Sequence, residues 1–210
     1  MSAKPVQAGG LFKALGKTPK KKRLRQANDF ERTPQEGTRA FLAAEIKVLK
    51  RFPLIWEAAD GLGDMSREIA AAGLPVICSD LIDRGTGATV ADFYSFKEPL
   101  ARAMVTNPPY CEVNWANGKG RWITHAMDEL GLDYMALLLS WNWPGAAGLG
   151  QIWGKHPPKR VYLMRFRLDF SGAGSPPQLN AWFVWERGFT GNPELLMLDH
   201  GDQRQGEWDV

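Results

Sequence analysis

The chain has 210 residues, 44% of them hydrophobic, and a formal net charge of +3. That length suits one compact α/β domain with a substantial core, and no apolar run approaches the ~18 residues that a membrane span needs. The charge is uneven: residues 1–32 hold nine Lys and Arg against two carboxylates, a net of +7, while the remainder holds 17 against 21, a net of −4.

Residues 1–28 contain Gly, Lys and Pro with weak periodicity, and read as a disordered or loosely attached arm ahead of a folded domain at 29–210. A cationic arm on a mildly acidic body points to phosphate contacts on a polyanion, or else to a solvated terminus with no partner. The first residues lack the apolar stretch of a secretory signal, and Cys78 and Cys111 have no zinc-like spacing. A cytoplasmic location with reduced thiols is therefore expected.

Structure begins at Thr33-Pro34-Gln35-Glu36, which reads as a capping box with Thr33 as N-cap and Pro34 at the first helical position. The helix should run to about residue 51, where Pro53 stops it. An apolar strand at 54–57 ends on Glu57, and Asp60-Gly61-Leu62-Gly63 turns the chain into a helix at 64–73. Gly61 and Gly63 allow a tight turn and close backbone approach to a ligand, the logic of nucleotide-binding βα turns. A second strand, 75–80, ends on Asp80, an acid placed to hold ribose hydroxyls.

A brief third strand with its exit covers 90–94, and a fourth, 103–106, delivers Asn107-Pro108-Pro109-Tyr110. A Gly-rich loop at 114–120 leads to a helix at roughly 121–130, with His125 expected on its surface and Gly131 as its stop. Residues 133–141 form a buried fifth strand. Beyond it, Trp141 and Trp143 are candidates to line a substrate cleft. Strands at 160–166 and 181–186 read as an antiparallel pair, and residues 188–210 carry no strong pattern. Alternating strands and helices argue a doubly wound, mostly parallel sheet, with Glu57, Gly61, Gly63, Asp80, Asp92 and Asn107 on its carboxyl edge. Arg84, Lys119 and Arg121 lie on loops of that edge, within reach of phosphate.

The stretch Asn107-Pro108-Pro109-Tyr110 suits the grip of a planar, amino-bearing group. The Asn107 side-chain carbonyl and the Pro108 backbone carbonyl can each accept from an –NH₂, and the Tyr110 ring can stack on its π-face. Pulled by two acceptors, the amine is less conjugated with its ring and more nucleophilic.

Taken in order, these segments resemble class I S-adenosylmethionine-dependent methyltransferases, and most closely the small N6-adenine DNA methyltransferases of phages and prophages. The resemblance covers about residues 30–187. It rests on Phe30-Glu-Arg-Thr33-Pro34, on Glu57 with Gly61-Leu-Gly63, on Asp80, on Asp92-Phe93, on the Asn107 tetrapeptide and on the strand at 181–186. It implies a seven-stranded sheet with an antiparallel last strand and S-adenosylmethionine as cofactor. Thr33 and Pro34 would lie at the cofactor's tail, Asp80 on its ribose, and Asp92 and Phe93 on its adenine. Two departures stand out: Asp60 replaces the usual Cys of the glycine turn, and no stretch remains for a separate target-recognition region.

The implied reaction is methyl transfer to adenine N6 in DNA, double- or single-stranded. Asn107, Pro108, Pro109 and Tyr110 would hold a flipped base, and the sulfonium methyl needs no metal to activate it. The same tetrapeptide serves enzymes that methylate amino groups of RNA bases or a protein glutamine amide. A non-catalytic nucleic-acid tether is a third reading.

Overall fold

The structure, a computed structural model, describes residues 32–113, 120–146, 148–170, 172, 174 and 178–200. The basic arm at 1–28 and Lys119 lie outside the described residues, as do most of the loop at 114–120 and residues 201–210.

Eight strands form one sheet: β1 (Ile55–Glu57), β2 (Val76–Asp80), β3 (Thr89–Val90), β4 (Ala103–Thr106), β5 (Tyr134–Ser140), β6 (Arg160–Met164), β7 (Asn180–Glu186) and β8 (Glu194–Leu198). Their spatial order is β3-β2-β1-β4-β5-β7-β6-β8. All neighbours pair in parallel except β7, which runs antiparallel between β5 and β6. The doubly wound class, with its antiparallel insertion, is as the sequence implies. The sheet has eight strands rather than seven, because residues 194–198 pair with β6 at the edge.

The helices are α1 (Gln35–Leu49), α2 (Asp64–Ala71), the single turns α3 (Tyr110–Val113) and α4 (Arg121–Thr124), and α5 (Gly150–Lys155). After α4 the helix widens into a π turn over His125–Glu129. Among the described residues no helix is long and apolar enough to cross a membrane.

Period-two alternation builds the two layers of core. Along β5, Tyr134, Ala136 and Leu138 face one cluster together with α1 and α2, whereas Met135, Leu137 and Leu139 face the other with the helix after Gly120. Buried on both sides, β5 is the apolar run the sequence displays.

α1 lies close on the sheet because Gly37 has no side chain: a Cβ there would meet Leu168 at 2.9 Å. The Gly37 carbonyl accepts from Trp182 Nε1 at 3.0 Å, and Phe41 stacks on the Trp182 ring at 4.2 Å. Deeper in, buried Glu45 accepts from Tyr134 at 3.0 Å, from Tyr162, and from both prongs of Arg160 at 2.7 and 2.9 Å. This one carboxylate therefore pins α1 to β5 and β6.

The start of α1 departs from the expected capping box. Pro34 is the N-cap, and no side chain caps the helix. The Thr33 hydroxyl instead meets Asn107, 74 positions along the chain. The helix before Gly131 departs in another way. His125 is only 3% exposed rather than on the surface, since the π turn rotates it inward, where its ring meets Phe93 and Tyr94 edge-on at 5.0 and 5.3 Å. Its Nδ1 lies 2.9 Å from Glu129.

Candidate active site

The sheet order reverses between β1 and β4, the place where doubly wound folds open a crevice at their carboxyl ends. A cavity of about 560 Å³ lies there, a size typical of small-ligand sites.

One wall is the glycine turn after β1. Gly61 and Gly63 have φ of 59° and 76°, a region that favours glycine. The turn is clamped to β2: the Gly61 N–H donates to Asp80 Oδ2 at 2.8 Å, and the Ile82 N–H to Oδ1 at 2.9 Å. Both oxygens keep lone pairs for a further donor. Asp80 thus shapes the turn as well as lining the cavity.

The opposite wall is the segment after β4. Asn107, Pro108, Pro109 and Tyr110 all line the cavity. The Asn107 amide nitrogen donates to Thr33 Oγ1 at 3.0 Å, while its carbonyl oxygen is buried without a protein partner. An unmatched buried acceptor costs about 1–3 kcal/mol, so its presence at a cavity wall marks a place for a donor. Tyr110 is held at its hydroxyl, which accepts from Asn180 at 3.3 Å.

Of the residues expected at the cofactor, Thr33, Gly61, Asp80, Asp92, Phe93 and Asn107 line the cavity. Pro34, Glu57 and Gly63 stand behind the wall: Pro34 and Gly63 are helix N-caps, and Glu57 lies beneath the turn. Glu57 Oε1 accepts from the Ala59 N–H at 2.8 Å and from the Thr106 hydroxyl at 2.5 Å, and Oε2 has no partner. Burial pushes its carboxyl up to about 8 against those two hydrogen bonds, with Asp60 and Asp80 adding to the rise.

Asp92 caps the short helical turn Phe93–Ser95, accepting from the Tyr94 N–H at 3.0 Å. One face of Phe93 is already covered by Trp122, stacked at 3.8 Å, so only the rest of the ring can meet a ligand.

Several cavity residues were not singled out from the sequence. Trp122 was hidden inside an ordinary helical stretch. Glu112 of α3 accepts from Tyr94 at 2.7 Å, tying the Asn107 segment to the chain after β3. Asp64 is forked by Arg32 at 2.9 and 2.7 Å and also met by Arg67, and the Arg32 hydrogen bonds hold its carboxyl below the usual range. These are contacts between distant segments, and no local pattern announces them.

Arg84 and Arg121 line the cavity, Arg121 as the first residue of α4 rather than on a loop, 3.6 Å over the Tyr94 ring. Trp141 and Trp143 do not. Trp143 is buried, donating to the Val113 carbonyl at 2.8 Å, and Trp141 lines a separate groove with Trp153, Phe183 and Leu195.

Five carboxylates (Asp60, Asp64, Asp80, Asp92, Glu112) face three guanidiniums (Arg32, Arg84, Arg121) around the cavity. The balance favours a ligand carrying positive charge or several hydrogen-bond donors.

No protein-family model matches the sequence, and no curated protein matches it. Solved structures do share the architecture. A candidate RNA methyltransferase from Pyrococcus horikoshii superimposes with a TM-score of 0.58 at 12% identity, over 77% of this chain and 88% of that one. A candidate class I S-adenosylmethionine-dependent methyltransferase from Listeria monocytogenes gives 0.51 at 13% identity, over 80% and 65%. The M protein of the type I restriction enzyme EcoKI, classed as a DNA-adenine methyltransferase, gives 0.51 at 13% identity, over 74% and 44%.

The chain therefore spans less than half of that M protein. At these identities the likeness is one of fold. The fold is the Rossmann-like fold of class I methyltransferases.

Proposed function

We propose that this protein transfers a methyl group from S-adenosylmethionine to the exocyclic N6 of adenine in DNA. The observation that carries the reading is Asn107: its carbonyl oxygen is a buried acceptor without a partner, in the wall of the cavity that the glycine turn also lines.

The residues present fit such a cofactor. The turn at Gly61 brings backbone close to the cavity, Asp80 keeps free lone pairs beside it, and the carboxylate-rich wall complements a cation. When bound, the sulfonium supplies an electrophilic methyl group.

What the chain contributes is alignment and exclusion of water. A paired adenine cannot present its amine to a cavity of this kind, so the base must be flipped out or taken from a single strand. Asn107 Oδ1 and the Pro108 carbonyl accept the two amine hydrogens, which turns the nitrogen lone pair toward the methyl group. Tyr110 stacks on the base.

A polyanionic substrate is favoured by the net +7 of residues 1–32, and DNA by the shared fold with the EcoKI M protein. RNA is the second reading, favoured by the shared fold with the Pyrococcus horikoshii protein. Glutamine methylation would make no use of a cationic arm.

Incubation with labelled cofactor and DNA, RNA or a release-factor-type protein tests the three together. Label in DNA supports the proposal. Label only in RNA or protein replaces it, and no label in any of them rejects methyl transfer.

A further inference from the structure

Thr33 stands where the sequence calls for a helix cap, yet its hydroxyl does not cap α1. It accepts from the Asn107 amide nitrogen at 3.0 Å. In this arrangement the amide nitrogen faces Thr33 and the carbonyl oxygen faces a buried position that no protein group meets. The two ends of an Asn amide are alike in shape and opposite in polarity. Rotated by half a turn, Asn107 would present two donors to an amine that itself brings donors, and the substrate's nitrogen could not be held.

The segment that carries Thr33 is anchored on the far side of the cavity. Arg32, its neighbour, is forked to Asp64 at 2.9 and 2.7 Å, and Asp64 opens α2 directly after the glycine turn. Arg32 and Thr33 both line the cavity. Residues 32 and 33 therefore run from the glycine-turn half of the site to the Asn107 half, with one side-chain contact to each.

From this geometry we infer that Thr33 is a positioning residue for the transfer step. Its hydroxyl oxygen holds the Asn107 amide in the orientation that offers a carbonyl to the substrate's amino group. The inference rests on the cavity being a methyl-transfer site, and goes beyond it in assigning Thr33 to the amine rather than to the cofactor alone. It also separates two substitutions of similar size. Thr33→Val keeps the shape and loses the acceptor, whereas Thr33→Ser keeps the acceptor.

The test uses the full-length protein in three forms: wild type, Thr33→Val and Thr33→Ser. Proton–nitrogen spectra of protein labelled at asparagine report the Asn107 side-chain amide, which Asn107→Ala identifies by its loss. The expected result is a displaced amide pair in the wild type and in Thr33→Ser, moving to the position of a free amide in Thr33→Val. Steady-state rates and cofactor titration report function. Thr33→Val should lower kcat roughly tenfold, the scale of one lost hydrogen bond, and change the cofactor Kd by less than about threefold. Thr33→Ser should recover most of that loss.

Unchanged kcat in Thr33→Val, a loss confined to cofactor affinity, or an Asn107 amide signal identical in Thr33→Val and wild type would each overturn the inference. Should the wild type methylate neither DNA, RNA nor protein, the functional reading falls first. The spectra then judge the Thr33 contact separately, and coincident wild-type and Thr33→Val signals would remove it too.

Discussion

The hydroxyl of Thr106, the last residue of β4, donates to the carboxyl of Glu57, the last residue of β1, over 2.5 Å with both side chains buried. Each is the final strand residue before one wall of the cavity: Glu57 precedes the glycine turn and Thr106 precedes Asn107. One side-chain hydrogen bond thus ties the two walls together at their roots, just beyond the parallel pairing of β1 with β4. Because the pair is shielded from water, its strength is not diluted by solvent.

Glu57 makes stability pH-dependent, because burial resists ionisation of its carboxyl more than the Thr106 and Ala59 hydrogen bonds favour it. Its carboxyl titrates near 8 in the folded chain against an ordinary 4.5, so between those values the folded state binds the extra proton. The stabilisation is whole below about pH 4.5 and lost as pH rises toward about 8, at ~1.4 kcal/mol per pH unit. Glu57→Gln keeps an oxygen for Thr106 and Ala59 and has no proton to lose. Urea unfolding at about pH 5 and pH 8 should show the variant gaining stability relative to wild type at the higher pH. A constant difference would contradict this.

Tyr110 offers a test of stacking. Tyr110→Ala should weaken the hold on substrate by about 1–3 kcal/mol, while Tyr110→Trp should be tolerated. Tyr110→Phe separates the ring from its hydroxyl contact with Asn180, and should resemble the wild type in substrate KM. Equal losses in all three would point to a structural role for the side chain.

Glu45 should dominate the anchoring of α1. Removing it by Glu45→Ala leaves Arg160 and two tyrosine hydroxyls short of a partner, and should cost about 3–5 kcal/mol in denaturant unfolding. Arg160 also meets Glu186 at 2.7 Å, but that carboxylate is more exposed. Glu186→Ala should therefore cost about 1 kcal/mol or less. A reversed ranking would show that Glu45 is not the main anchor of α1.

The arm at residues 1–28 should carry much of the salt dependence of DNA binding. Each phosphate contact it makes adds about 0.9 to the slope of log affinity against log salt on duplex DNA. Deleting the arm should flatten that slope and leave cofactor affinity intact. An unchanged slope would move the phosphate contacts to the folded domain.

Much of the fold was legible in the sequence, because a doubly wound sheet writes itself locally. Strand ends carried acids or Asn107, the glycine turn stood between β1 and α2, and β5 was an unbroken apolar run. What escaped was set by distant partners. Thr33 had every local feature of a cap, yet its hydroxyl went to Asn107. His125 looked like a surface residue until the π turn rotated it inward. Residues 194–198 read Glu-Leu-Leu-Met-Leu, a run too short and too weakly alternating to declare itself, and became β8 only by pairing with β6. Phe93 was expected to face the cofactor's adenine, but Trp122, unmarked in sequence, already covers one side of its ring.

Methyl transfer to adenine N6 through Asn107 is tested by mass-spectrometric analysis of nucleosides from DNA treated with cofactor and either wild type or Asn107→Ala. N6-methyladenine is expected with the wild type and none above background with Asn107→Ala, while calorimetry shows both proteins binding the cofactor with Kd values within about threefold. Methylcytosine in place of methyladenine, or N6-methyladenine made equally well by Asn107→Ala, would contradict transfer to N6 through Asn107.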